Sequence, residues 1–167
     1  MSLTLNADDS SDDVVIRFGK RLDESDRFPS LKVRLSQQVI FDCENLVMVS
    51  SAAIQNWILW MRSLDPRTQF VFKNCHRKVI EMINAVHGFW PKEAKVESFY
   101  LPFTCDKCEH EEEVLLVRGR DFIESMDGKP ARFLATKTLN CGKCRETMEV
   151  AVLEDMYLQF LHYQRKQ

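Results

Sequence analysis

The chain has 167 residues, of which 45% are hydrophobic and 29% charged, with a formal net charge of −2. This is material for one large domain or two small ones, and the near balance of charge excludes a global pull toward nucleic acid or an anionic membrane. No apolar run approaches the ~18 residues that read as a membrane span. Met1–Asp13 carries four aspartates and no basic residue, the reverse of a signal peptide. A cytoplasmic location follows as the expectation, and in that reducing compartment six cysteines are metal ligands or core residues before they are disulfides.

Residues 1–13, ending in Ala-Asp-Asp-Ser-Ser-Asp-Asp, read as a solvated, flexible segment ahead of the fold. Val14–Leu22 alternates loosely as a strand and ends in the polar run Asp23–Asp26; a short amphipathic stretch, Leu31–Leu35, follows. Val39-Ile40-Phe41-Asp42-Cys43 is a compact apolar run suited to a strand buried on both faces. Ser50 and Ser51 are natural N-caps for a helix whose stripe is Ile54, Trp57, Ile58, Met61 and Leu64. Asp65-Pro66 stops it, because the residue before proline avoids the α region. Trp60 lies off the centre of the stripe and is either an exposed anchor or a boundary packing residue. Gln69–Lys73 alternates as a strand, and a second helix from Arg77 carries Val79, Ile83, Val86 and Trp90 on one face, weakened at Gly88 and ended by Pro91. Strands alternating with helices imply an α/β layer over residues 14–99, with the boundary in Ser98–Pro102 and a second unit over residues 100–167.

The second unit holds the strongest signal. Cys105-Asp106-Lys107-Cys108 and Cys141-Gly142-Lys143-Cys144 are two knuckles of identical spacing. Two residues between thiolates form a tight turn whose sulfurs converge on one metal, and two such turns complete a tetrahedron, so the expected ligands of a structural Zn2+ are Cys105, Cys108, Cys141 and Cys144. A full shell of four thiolates leaves no position for a catalytic water, and a β segment this small needs the folding free energy that a metal supplies. The strand-like runs Val114–Val117 and Phe133–Thr136, around the turn signal Asp127-Gly128-Lys129-Pro130, are expected to bring the knuckles together. Two redox pairs are the competing reading, but such a pair expects the start of a helix. His110 is a spare donor that the spacing does not require, and Cys43 and Cys75 read as inert buried residues at strand ends.

Val39–Leu64, with Asp42-Cys43-Glu44-Asn45-Leu46 as strand exit and Val49-Ser50-Ser51-Ala52-Ala53 as the approach to the helix, resembles the core of STAS domains, the family of sulphate transporters and anti-sigma-factor antagonists. The resemblance covers roughly residues 14–99 and implies a STAS-like sheet with packed helices; joined to the cysteine unit, it looks like a group of bacterial STAS-like regulators that act by docking to partners. Sporulation-type members carry Asp-Ser-Ser-Gly in this loop and are phosphorylated on the second serine. Counted from Leu46, those positions fall on Ser50, Ser51, Ala52 and Ala53, so the acceptor position is Ala52, which has no hydroxyl; a slip of one residue would place Ser51 there.

The resemblance thus implies a non-enzymatic regulatory module whose partner-binding loop contains Ser50, Ser51 and Ala52 and whose partner is a protein such as a regulatory kinase or sigma-factor regulator. A nucleic-acid-binding ribbon is the alternative, with Arg118, Arg120, Lys129, Arg132 and Lys137 as its basic stripe, opposed by Glu109-His110-Glu111-Glu112-Glu113 beside the first knuckle. An enzyme is the weakest reading: His76, His87, His110 and His162 are scattered, His87 reads as a core or boundary histidine, and five glycines form no phosphate loop. Leu153–Gln167, with Met156, Tyr157, Phe160, Leu161 and Tyr163, reads as a short helix packed on the ribbon or on the α/β layer, or as the face of a homodimer.

Overall fold

The computed structural model describes residues 13–34, 37–91, 94–125, 130–134 and 138–162 in full, and residues 3–7 as backbone. Asp8, Asp9, Asp12, Leu35, the Asp127–Lys129 part of the turn signal, Ala135, Thr136, Lys137 and Tyr163 lie outside the described residues.

The chain opens with β1 (Leu3–Ala7) and β2 (Val14–Phe18), an antiparallel pair. Then come β3 (Arg21–Leu22), β4 (Gln38–Asp42), β5 (Met48–Val49), α1 (Ser51–Ser63), β6 (Gln69–Lys73), α2 (Arg77–Ala85) and β7 (Lys95–Val96). They build a mixed five-stranded sheet in the order β1-β2-β4-β6-β7, parallel from β2 onward. The strand read over Val14–Leu22 is thus two: β3 leaves the main sheet to pair with β5 beside the start of α1. The Leu31–Leu35 stretch forms no strand in its described part.

Alternation decides what each face of the sheet meets. Ile16, Phe18, Val39, Phe41, Phe70 and Phe72 share the helix-facing side, and none is more than 4% exposed. On the other side Arg17, Ile40, Asp42, Gln69 and Lys73 keep part or all of their exposure, so β4 is fully buried on one face only. The reason is that the packed helices lie on one side of the sheet, making two layers.

Trp57 is the centre of the layer interface. Phe18, Phe28, Phe41, Trp60, Phe72 and Phe89 all place their rings within 6.3 Å of it, and its indole N–H donates to the Phe89 carbonyl at 2.6 Å. Trp60 is a packing residue: it is buried, donates to the Pro29 carbonyl at 2.8 Å and stacks on Phe28 at 5.0 Å. It stands next to the Trp57–Met61 stripe, and the segment carrying Phe28 and Pro29 wraps over it. Leu59 faces solvent instead, 65% exposed. The second helix stops at Ala85, earlier than its apolar spacing suggests. Val86 caps it, and Gly88 turns the chain with φ +81°, a conformation that side chains rarely adopt.

Six further strands follow: β8 (Ser98–Thr104), β9 (Glu111–Val117), β10 (Phe122–Ile123), β11 (Arg132–Phe133), β12 (Leu139–Asn140) and β13 (Thr147–Val150). Last come α3 (Glu154–Tyr157) and a 3₁₀ turn, Gln159–Leu161. The segment read as a join is the first residues of the long strand β8. Phe133 pairs with Phe122 in a separate two-stranded sheet and not with β9; the four-stranded sheet is β12-β13-β8-β9. Phe99 on β8 meets Phe122, Tyr157 and Phe160, and Asn84 of α2 donates to the carbonyls of Met156 and Tyr157. The C-terminal elements therefore pack on both the ribbon and α2, and the buried apolar residues form one cluster running from Ile16 to Leu161. Replacing Trp57 by Ala removes the hub of the first layer, with an expected loss of about 3–5 kcal/mol in urea unfolding.

Candidate metal centre

Each knuckle is the turn of a hairpin. Cys105–Cys108 lies between β8 and β9, and Cys141–Cys144 between β12 and β13; pairing of β13 with β8 sets the two turns side by side. Their backbones are built alike. The Cys105 N–H donates to the His110 carbonyl and the Glu109 N–H to the Cys105 carbonyl; the Cys141 N–H donates to Glu146 and the Arg145 N–H to Cys141. The fifth residue of each turn, Glu109 at φ 55° and Arg145 at φ 63°, sits in the left-handed region. Two non-glycine residues held there cost about 1–2 kcal/mol each, a strain the turn imposes to aim the sulfurs inward.

The four Sγ atoms all lie within 4.8 Å of one another. Across the knuckles Cys105 and Cys144 are 3.4 Å apart and Cys108 and Cys141 3.5 Å, far beyond a disulfide bond, and all four thiols are free. A tetrahedron of thiolates at about 2.3 Å from a zinc ion has edges of ~3.8 Å, so the spacing fits a metal. Cys105 and Cys141 are buried, Cys144 is half-buried, and Cys108 is exposed. Lys107 and Glu146 tie one knuckle to the other at 2.5 Å. His110 offers its carbonyl to the turn and is not part of the sulfur cluster. Both Cys-x-x-Cys pairs stand in strand-to-strand turns and not at helix starts, which argues against the dithiol reading.

Without a cation three of the thiols are shifted, and not in the same direction. The backbone N–H groups of Cys144 and Lys143 pull the Cys141 thiol down to about 6. The His110 backbone N–H also favours a Cys108 thiolate, but desolvation and the surrounding sulfurs outweigh it and push that thiol up to about 12. Cys144 is raised as well, its Glu146 N–H outweighed by desolvation and the neighbouring Cys105 sulfur. At neutral pH, then, Cys141 is the ready ligand, while Cys108 and Cys144 must lose protons to bind.

A second cluster lies where the ribbon meets the α/β layer. The His76 ring stacks on Tyr100 with centroids 4.4 Å apart and planes 7° from parallel. Its Nδ1 is 3.2 Å from the Glu113 carboxylate and its Nε2 is 2.6 Å from the Glu44 carbonyl, while the Tyr100 hydroxyl donates to the Glu44 carboxylate at 2.8 Å. The Tyr157 hydroxyl donates to the Tyr100 carbonyl at 2.6 Å. Glu44 leaves β4, His76 caps α2, Tyr100 is on β8 and Glu113 on β9. Sequence reading left these residues apart, since no local spacing connects them.

The helix approach is firmly held. Ser50 caps α1, its Oγ accepting from the Ala53 N–H at 3.1 Å and donating to Glu24 at 3.3 Å. Ser51 and Ala52 form the exposed first turn, and Ala53 is buried. Leu46 anchors the loop from inside, whereas Val47 and Met48 are 57% and 58% exposed. Of the basic stripe, Arg118 turns inward to Glu124 and the Val96 carbonyl, and Arg120 pairs with Asp121; Arg132 is exposed, and Lys129 and Lys137 lie outside the described residues. His87 is exposed on the turn after α2, because the helix ends before reaching it. Cys43 and Cys75 are buried in contact, and the Cys75 thiol together with burial holds the Cys43 thiol well above its ordinary range. Among the described residues no helix is long and apolar enough to cross a membrane.

Comparison of the chain with protein-family models, with curated proteins and with solved structures found no match.

Two outcomes follow from the centre's geometry. Glu109→Gly and Arg145→Gly relieve the left-handed residues, each raising the stability of the metal-loaded chain by up to about 1 kcal/mol in denaturant unfolding. Metal titration of the apo chain at neutral pH releases protons from Cys108 and Cys144, so apparent affinity, read by chelator competition, rises with pH and falls as acid returns protons to the sulfurs.

Proposed function

We propose that the chain is a non-enzymatic regulatory module, a STAS-like α/β layer joined to a ribbon held by one structural Zn2+ on Cys105, Cys108, Cys141 and Cys144, and that it acts by docking a protein partner. The observation that carries the docking reading is the exposure of Val47 and Met48, two large apolar side chains at the start of β5, with Val49 and the cap Ser50 between them and the exposed Ser51 and Ala52. Their backbone N–H groups donate to the Lys20 carbonyl and that of Ser50 donates to Leu22, so the apolar pair is presented on a rigid base. Such pre-organisation lowers the entropy lost on binding.

The STAS-like part of the reading is supported by a parallel sheet with an antiparallel first strand, by helices packed on one face, and by a capped helix following the β4 exit. A four-sulfur site supplies no chemistry beyond cross-linking: zinc there would replace a larger core in fixing the two hairpins. The partner class that fits the resemblance is a regulatory kinase or a sigma-factor regulator, and the lack of a hydroxyl at Ala52 favours docking that no phosphate at that position controls. The inward turn of Arg118 and the pairing of Arg120 weigh against a nucleic-acid stripe among the described residues.

The test is quantitative binding to a partner captured from the source cell, comparing the wild-type chain with Met48→Asp and Ser51→Asp. A loss of about tenfold or more with metal content unchanged is expected for Met48→Asp. Partner binding indifferent to both variants, or salt-sensitive binding to random nucleic acid with a steep slope, would overturn the reading.

A further inference from the structure

The contact of His76 with Tyr100, Glu44 and Glu113 carries an inference that does not rest on the docking reading. Glu113 belongs to the ribbon strand β9 and Glu44 to the loop after β4, and the His76 ring stands between them at the N-cap of α2. Both ring nitrogens face oxygen acceptors: Nδ1 lies 3.2 Å from the Glu113 carboxylate and Nε2 2.6 Å from the Glu44 carbonyl. A neutral imidazole carries one N–H and one lone pair, so it satisfies one of these oxygens and sets its lone pair against the other. Only the doubly protonated ring donates to both. Because the two oxygens come from different parts of the fold, the ring's second proton is what straps one to the other.

The charge around the ring decides whether that proton is welcome. Among the described residues no lysine or arginine pairs with Glu44 or Glu113; their contacts are the Tyr100 hydroxyl and His76 itself. Glu111, two places along β9, lies on the same side of the strand as Glu113. Asp42, at the end of β4, is held by Arg17 and Asn74, and Lys73 of β6 pairs with Glu97. Opposing the ring's charge are the positive end of α2 and the cations Arg77 and Lys78, which share the single carboxylate of Glu81. Tyr100 offers its face to the stacked ring, a favourable setting for a cation. Burial, the bond to Glu44 and the charges of Glu44, Glu113 and Asp42 push the Tyr100 hydroxyl up to about 12, so it stays a donor to Glu44 throughout the range in which histidine titrates. We propose that His76 is a pH-sensitive strap: protonated, it ties β9 of the ribbon to the loop after β4, and on losing its Nδ1 proton it keeps the shorter bond to Glu44 and releases Glu113. The strap is closed on the acid side of the ring's titration and open on the alkaline side.

The experiment uses the full, metal-loaded chain between about pH 6 and pH 8, with metal content checked at both ends. Nitrogen NMR of the His76 ring is expected to show both nitrogens protonated at the acid end and only Nε2 at the alkaline end. Through the same midpoint, amide exchange in β9 around Glu113, corrected for its intrinsic dependence on pH, is expected to quicken about two- to fivefold, the size of a partly exposed ion pair. Glu113→Gln is the variant that a merely structural contact would not move in this way. Its side-chain amide donates to a neutral Nδ1, so exchange in β9 loses its dependence on the ring and the ring's midpoint falls. A ring whose protonation does not change over this range, β9 exchange that ignores the ring's midpoint, or a Glu113→Gln chain that titrates as the wild type does overturns the proposal.

Discussion

Four sulfur atoms gathered within 4.8 Å are the constraint on which the C-terminal half depends. The thiols are not joined as disulfides, and their surroundings push two of them in opposite directions, Cys141 down to about 6 by backbone N–H donors and Cys108 up to about 12 by desolvation and the neighbouring sulfurs. A divalent cation resolves the conflict by accepting charge from all four at once. The backbone around it is arranged for that outcome, since each turn spends left-handed strain at Glu109 and Arg145 to face its cysteines inward. The hairpin that carries the second turn is short, β12 being only Leu139–Asn140, and strand pairing that brief does not hold its loop in register by itself.

From the sulfur cluster the constraint passes to the rest of the molecule through β8 and β9. These strands leave the first knuckle and run to Tyr100 and Glu113, which meet His76 and Glu44 at the carboxyl ends of the parallel sheet. On the other face of β8, Phe99 packs on Phe122, Tyr157 and Phe160, and those side chains hold the C-terminal turn against α2. The ribbon is thus continuous with the α/β layer: one strand carries a polar clamp on one face and an aromatic core on the other. Trp57 plays the corresponding part in the first layer, joining sheet, helix and the Phe89 turn.

What the sequence made legible was whatever is local. The Cys-x-x-Cys spacing names all four sulfurs; Ser50 and the Trp57–Met61 stripe mark α1; Pro66 marks its end. What it hid depends on residues far apart meeting. Trp60 looked marginal to the stripe, because only the fold shows Phe28 and Pro29 covering it. Ser98–Pro102 reads as a join, since the strand it opens, Ser98–Thr104, is apolar on both faces and contains Pro102, so it lacks the alternation that marks a half-buried strand. The knuckle residues Glu109 and Arg145 gave no sign, as a left-handed position is usually announced by glycine. The His76–Tyr100–Glu44–Glu113 contact links four separate elements, and no spacing rule reaches across them.

The most direct test of this account is the metal content of the purified chain, by native and elemental mass spectrometry, beside the Cys105→Ser/Cys144→Ser double variant. The account predicts one zinc per wild-type chain, lost in the variant together with the ordered signals of β8, β9, β12 and β13. A wild-type chain that folds fully without metal, or whose cysteines are recovered as disulfides across the knuckles, would contradict it.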